Sequence, residues 1–411
     1  MYLFNIFHSF VPLRNPLGFG VSDLIELGLT LLALLAIFGY AWMGSWLMNF
    51  ARRTAWCMLV LFILPAALRL ALLPRVPPPV ATTSPEFSSL LASDTLLHGR
   101  LGNPPHRFHE FFETPLVVQT PVYRSTLPIG DGLLPAAGQL LFHSDWAGIL
   151  LGAGVLAALS YWMLRVWITP GWALFGGVLV ACFFGPLCRW TNSYWGGFIA
   201  ALAGCLILGA LPRLKQNPRR AAFSLNLALL GLGLAIELLA HPSAFCLFVP
   251  IVILAAILCL KRLKQFRPAL LFVILLMGSA HFLFWYGMHA LGEASLNAVR
   301  PYGGRDFLNS AEERSHRAVA EELNNEPGKQ VVFVRRSPWS TAEERASGQW
   351  IHNSADIDAS KTVWARDLGE DKNRKLLDYY RSRKAWLWEP DAIPPRLRPY
   401  AVSTAPPENV Q

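Results

Sequence analysis

The chain has 411 residues, of which 53% are hydrophobic and only 15% charged, against roughly 25% charged in soluble domains. Its formal charge of +9 is not the mark of a nucleic-acid binder, because the excess lies in short loops between apolar runs and not on one folded face. The six cysteines all fall in or beside apolar runs, which excludes a disulfide-framed fold and leaves no Cys/His metal spacing.

Residues 1–20 are apolar and aromatic, with Pro12 and Pro16, and read as an interfacial segment. Residues 21–73 read as the first two membrane spans. Leu27 to Met48 carries no charge and is long enough for a bilayer core, which needs about 20 apolar residues. It is too long for a signal-peptide core and reads as a permanent anchor. Further spans are expected at 54–73, 146–164, 171–188, 194–212, 221–240, 243–260 and 268–290, about eight in all, with the splits at Pro170 and at His241-Pro242 the least secure. The loops after spans one, three, five and seven hold 11 basic residues, such as Arg52, Arg165, Arg213 and Lys261, and no acid. By the positive-inside rule these loops are cytoplasmic. The first long loop and everything after residue 290 then lie outside.

That loop, 74–145, is too long to be a plain connection. Within it Phe87, Leu90, Leu91 and Leu97 recur at helical spacing, so 86–98 is expected to form a helix resting its apolar side on the membrane. Leu133 to Phe142 is a second apolar piece. Residues 146–290 form the remaining membrane bundle. After it the composition turns polar. Asn309-Ser310 can cap a helix to about Asn325. Gln330–Arg335, Thr362–Arg366 and Lys384–Trp388 read as strands, with a helix at Asp371–Ser382 between the last two. This gives a βαβ unit in a small α/β domain, 291–400. The segment after Pro394 is expected to be irregular, and 401–411 to be a disordered tail.

Several residues could carry chemistry. Glu86 follows an apolar span and could act as a general base, although Ser84-Pro85-Glu86 equally fits a helix start. Arg100 and Arg124 could hold a phosphate by bidentate bonds. Asp94 and His106 lie in the same loop. Glu237 sits at the end of span six, where an ionisable residue is either functional or snorkels to the interface. Tyr194 and Trp195 lie between spans four and five, as a substrate platform or an interfacial belt. His281 and His289 read as bundle histidines. Asp356-Ile357-Asp358 spells a short Asp-x-Asp motif but is expected to be a turn. Gly-rich phosphate loops and zinc motifs are absent from the sequence.

Ser84-Pro85-Glu86-Phe87-Ser88-Ser89-Leu90-Leu91-Ala92-Ser93-Asp94-Thr95, with His98-Gly99-Arg100-Leu101 and Asn103-Pro104-Pro105-His106, resembles the first outer loop of bacterial GT-C glycosyltransferases. Those are related to protein O-mannosyltransferases and the lipid A aminoarabinose transferase (family 39). Gln119-Thr120-Pro121-Val122-Tyr123, Asn192-Ser193-Tyr194-Trp195-Gly196-Gly197 and Val363-Trp364-Ala365-Arg366-Asp367 continue the likeness over about residues 55–400. The family carries Asp-Glu where this chain has Pro85-Glu86.

The resemblance implies a polytopic, mostly α bundle of GT-C-like architecture in the cell inner membrane, with a small C-terminal α/β domain on the periplasmic side. It implies sugar transfer from a polyprenyl-phosphate donor, with Glu86 as base and Arg100 or Arg124 at the phosphate. Lipid-linked sugar and membrane lipid are the expected partners, with no nucleic acid. No cofactor is evident, and a divalent cation is compatible. The other reading is a non-catalytic relative that binds lipid-linked sugar or scaffolds envelope assembly. Transport is the weakest reading, since no charged pair sits mid-span.

Overall fold

The structure, a computed structural model, describes residues 45–74, 76–186, 188–216, 220–240, 311–337 and 350–400. Residues 1–20, most of the 27–48 span, the 243–260 and 268–290 spans, His241, His281, His289 and the 401–411 tail lie outside the described residues. The chain divides into two compact units.

The first unit takes in residues up to 78, then 147–192 and 196–308. Its described helices are α1 (Ser45–Ala51), α2 (Thr54–Ala71), α5 (Asp145–Leu164, whose first two residues belong to the second unit), α6 (Pro170–Phe184), α7 (Phe198–Gln216) and α8 (Arg220–Ala240). Three stretches, Thr54–Ala71, Asp145–Leu164 and Ala221–Ala240, are long and apolar enough to cross a membrane. Pro170–Phe184 and Phe198–Leu214 are shorter apolar helices.

The break at Pro170 is present, with proline in the first turn of α6, where its missing N–H costs nothing. α7 starts at Phe198, four residues later than the expected 194. Gly196-Gly197 before it packs closely on Trp190, where a Cβ on Gly197 would meet the ring at 2.6 Å. α1, α2, α5 and α6 share a core of Ala51, Cys57, Leu61, Ala157, Tyr161, Ala173, Leu174 and Ala181. Its small residues let the backbones approach, as helix pairs in lipid require. The Tyr161 hydroxyl donates to the Ala51 carbonyl at 2.7 Å.

The second unit joins 79–146, 193–195 and 309–411. The long loop and the C-terminal region, separate segments in sequence, thus fold together. The loop contributes α3 (Ser84–Leu97), two short 3-10 turns (His109–Phe112 and Ile129–Gly132), the paired strands β1 (Val117–Val118) and β2 (Arg124–Ser125), and α4 (Leu133–Phe142). The C-terminal part adds α9 (Ala311–Asn325), β3 (Gln330–Val334), β4 (Thr362–Arg366), α10 (Glu370–Tyr379), β5 (Lys384–Glu389) and β6 (Arg396–Pro399). The sheet order is β4-β3-β5-β6. β3 runs parallel to both β4 and β5, and β6 is antiparallel to β5.

The expected βαβ unit is β4–α10–β5, with β3 between its strands. The segment after Pro394 is not irregular, because Arg396–Pro399 adds the edge strand β6. Arg-Leu-Arg-Pro is too short a run to declare a strand by itself. Its partner β5 supplies the hydrogen bonds, and an edge tolerates the proline.

Side chains from alternate strand positions feed two cores. One face holds Val331, Phe333, Val363, Ala365 and Leu387, covered by Leu376 and Tyr380 and by Leu91, Phe111, Phe112 and Tyr123 of the loop. The other holds Val332, Val334, Trp364, Trp386 and Trp388, covered by Val319 and Leu323 of α9 with Trp350 and Ile351. At about 1.5–3 kcal/mol per buried large side chain, the loop residues are as much a part of this core as the strands.

α3 packs against the rest of the second unit. Its Leu91 enters the protein core, and its small polar face is buried too. Ser88 donates to the Leu116 carbonyl at 2.6 Å and lies 2.7 Å from the Ser125 hydroxyl, while Ser89 donates to the Asp131 carbonyl at 2.9 Å. The close approach needs Gly132, where a Cβ would meet the Ser93 nitrogen at 2.7 Å.

Candidate functional site

The second unit holds an open cavity of about 620 Å³, within the range of ligand pockets. α3 supplies Phe87, Leu90, Leu91, Ser93, Asp94 and Leu97, and α4 supplies Gln139. Asp145, Tyr194, His316 of α9, the Trp350–Ser354 segment and Trp364 of β4 complete most of the wall. Among the described lining residues there is no Lys or Arg.

The polar groups are positioned by the fold. Asp94 Oδ2 accepts the Ala355 N–H at 2.6 Å, and Oδ1 lies 3.4 Å from His98 Nδ1. Its side chain keeps 31% of its surface open. Asn353 grips the free edge of β4, donating to the Trp364 carbonyl and accepting its N–H, each at 2.9 Å. This fixes the run from Trp350 to Ser354. Tyr123 anchors the same run, its hydroxyl donating to the Asn353 carbonyl at 3.1 Å. Burial and the charge of Asp94 raise the Tyr123 pKa, so it stays a neutral donor.

The walls are stacked rings. His352 lies on Phe87 at 4.1 Å and 10°, and on Trp364 at 5.3 Å. His316 lies on Trp350 at 3.7 Å and 6°. Burial pushes His352 down to about 4. Burial, with the nearby His352 and Arg336, pushes His316 down to about 3. Both imidazoles are neutral near pH 7. The buried His316 Nε2 has no hydrogen-bond partner among the described residues. The arrangement offers carboxylate acceptors and aromatic faces, a combination suited to a hydroxyl-rich or cationic ring rather than to a phosphate.

Of the residues expected from sequence, Asp94 and Tyr194 meet in this cavity. Glu86 is buried and is not among its lining residues. Thr83 caps α3, and Glu86 reaches back in a capping box. Its Oε2 accepts from Thr82 N at 3.1 Å, Thr83 N at 3.0 Å and Thr83 Oγ1 at 2.8 Å, while Oε1 accepts from Tyr194 N at 3.3 Å. The helix-start reading of Ser84-Pro85-Glu86 is the one seen.

Arg100 and Arg124 are exposed and do not line the cavity. Trp195 does not line it either, and its backbone closes a turn with the Ser193 hydroxyl. Glu237 is buried in α8 of the first unit.

His106 lies elsewhere in the second unit, clasping the loop to the α/β part. Its Nδ1 accepts from Phe108 N at 3.0 Å, which leaves Nε2 to donate to Asp358 Oδ1 at 3.3 Å. Asp358 also accepts from the hydroxyls of Tyr379 at 2.8 Å and Tyr380 at 2.5 Å. Partial burial alone would raise the Asp358 carboxyl, but these hydroxyls and His106 hold it below the usual carboxylate range. Asp358 thus belongs to a turn, as expected, and joins it to α10.

Sequence reasoning missed Asp145, His316, His352, Trp350 and Trp364 as wall residues. His316 was readable: with Val319 and Leu323 it follows the i, i+3, i+7 pattern of the buried face of α9. It also missed Arg69, buried in α2, which donates to Asn192 Oδ1 at 2.7 Å and to the carbonyls of Val76 and Pro77, each at 2.9 Å. Among the described residues no three His, Cys, Asp or Glu side chains converge as a metal site. Comparison of the chain with protein-family models, curated proteins and solved structures finds no match.

Proposed function

We propose that the chain is a multi-pass inner-membrane protein of GT-C-like architecture whose cavity takes the sugar of a polyprenyl-phosphate donor on the periplasmic side. One observation carries this reading. Asp145 lines the cavity and is also the first residue of α5, a helix long and apolar enough to cross a membrane. A polar, aromatic-walled cavity that shares a residue with a membrane-length helix suits a ligand whose polar head is bound while its tail stays in lipid.

The reaction the cavity suits is inverting glycosyl transfer, with Asp94 in the role the resemblance gave to Glu86. Asp94 takes the proton of an acceptor hydroxyl. The acceptor oxygen bonds to the anomeric carbon, and the bond from that carbon to the phosphate oxygen breaks with its electron pair on the phosphate. Stabilising that phosphate charge calls for a cation. The non-catalytic reading is favoured by the lack of Lys or Arg among the described lining residues.

The test uses the full chain in lipid nanodiscs with a panel of polyprenyl-phosphate hexoses and pentoses. Binding is read by native mass spectrometry and transfer by release of polyprenyl phosphate. Asp94→Asn is expected to keep binding and lose turnover, with its melting temperature as a fold control. Binding without turnover in the wild type selects the non-catalytic reading. Absence of binding across the panel overturns both.

A further inference from the structure

α4 ends in three consecutive large apolar side chains facing outward: Leu140, Leu141 and Phe142 are 72%, 62% and 56% exposed. Leu140 and Leu141 lie away from the side of α4 committed to the protein, where Pro135 and Gly138 are buried and Gln139 is in the cavity wall, and Phe142, one turn beyond Gly138, is exposed at the helix end. Such a cluster on a surface facing only water is unfavourable and marks an interaction site.

Covalent geometry identifies the occupant. Only His143, in a left-handed turn at φ 54°, and Ser144 separate α4 from Asp145, the first residue of α5. Three Cα steps reach at most about 11 Å. Phe142 is therefore within about 11 Å of the point where a membrane-length helix begins, comparable with the headgroup layer outside an apolar core of about 30 Å.

We infer that the C-terminal turn of α4 is an interfacial membrane anchor, with Leu140, Leu141 and Phe142 inserted among lipid headgroups and upper acyl chains. An apolar face of this kind settles about 5–10 Å into that boundary. The anchor holds the Gln139 wall of the cavity at headgroup level. It rests on α5 crossing the membrane and is independent of the sugar reading.

The test places an environment-sensitive dye, attached bio-orthogonally, at position 141 of the full chain in nanodiscs containing nitroxide-labelled lipids. Companion dyes sit at Val155, midway along α5, and at Arg381, an exposed site beyond α10. Position 141 is expected to be quenched most by headgroup and shallow-chain nitroxides, Val155 by deep-chain nitroxides, and Arg381 by neither. Quenching at Val155 with none at 141 overturns the anchor while the span stands. Absence of quenching at both removes the span and the anchor with it. Shielding at 141 from lipid nitroxides and aqueous iodide alike shows a protein contact, such as a second copy of the chain, and also overturns it. Leu141→Glu, checked by its melting temperature, is expected to abolish the quenching of a dye at 140.

Discussion

Replacing Glu86 separates a structural carboxylate from a catalytic one. Its side chain accepts four hydrogen bonds, from Thr82 N, Thr83 N, Thr83 Oγ1 and Tyr194 N, and is only 5% exposed. Glu86→Ala strands three backbone donors close to the start of α3, and water reaches them poorly. Loss of hydrogen bonds to a charged group costs about 1.5–3 kcal/mol, and the upper end applies because several buried donors are stranded together while Thr83 remains as the cap. A total near 3 kcal/mol corresponds to a fall of about 6–12 °C in Tm for a unit of this size. Glu86→Gln is milder. One amide oxygen can still serve Thr82 and Thr83, but the NH₂ group then faces the Tyr194 N–H, donor against donor. About half the loss is expected. The assay is thermal unfolding of the full chain in nanodiscs, alongside sugar binding. If Glu86→Ala melted with the wild type while turnover vanished, the carboxylate would belong to the chemistry and the capping argument would fail.

Two further outcomes follow from the same unit. His316 and His352 are held near 3 and 4 by burial, below the unfolded value of about 6.5, so the unfolded chain binds more protons between those limits. Stability is fully present above about pH 6.5 and falls as pH drops toward 4, by up to about 2 kcal/mol per histidine at pH 5; denaturation at several pH values should show this, and His316→Gln should flatten the slope. Gly132→Ala places a methyl 2.7 Å from the Ser93 nitrogen and 2.8 Å from the Ala92 carbonyl carbon, so it should cost about 1–3 kcal/mol and weaken ligand binding by displacing Asp94, whereas Gly204→Ala in α7, with open space around it, should leave binding unchanged.

The sequence reveals elements better than their partners. Thr362–Arg366 and Leu133–Phe142 match the structure at both ends, because a β-branched, aromatic strand and an apolar helix closed by His143 carry local signals. The burial of α3 was hidden. Ser88, Ser89 and Ser93 look like a solvated face, and only the partners Leu116, Ser125 and Asp131, distant in sequence, make them interior. β6 was hidden likewise, since its strand character comes entirely from pairing with β5.

The site shows the same division more sharply. Glu86 carried two readings in three residues, helix start and catalytic acid, and the local one was written in Thr83-Ser84-Pro85-Glu86 itself. Asp94 offered no local signal beyond its type. It becomes a candidate because Ala355, more than 250 residues away, donates to one of its oxygens and leaves the group open on a cavity. Asp145 was visible as an acid at the head of an apolar run, but a charge there is the ordinary way to start a helix. Only the fold of 79–146 with 309–400 turns it toward the same space. The arginines show the converse. The guanidinium of Arg124 suits a phosphate anywhere, yet β2 carries it on the exposed side while Ser125 points inward. On a two-residue strand, alternation alone decides which neighbour meets the core, and the sequence contains nothing that sets that phase.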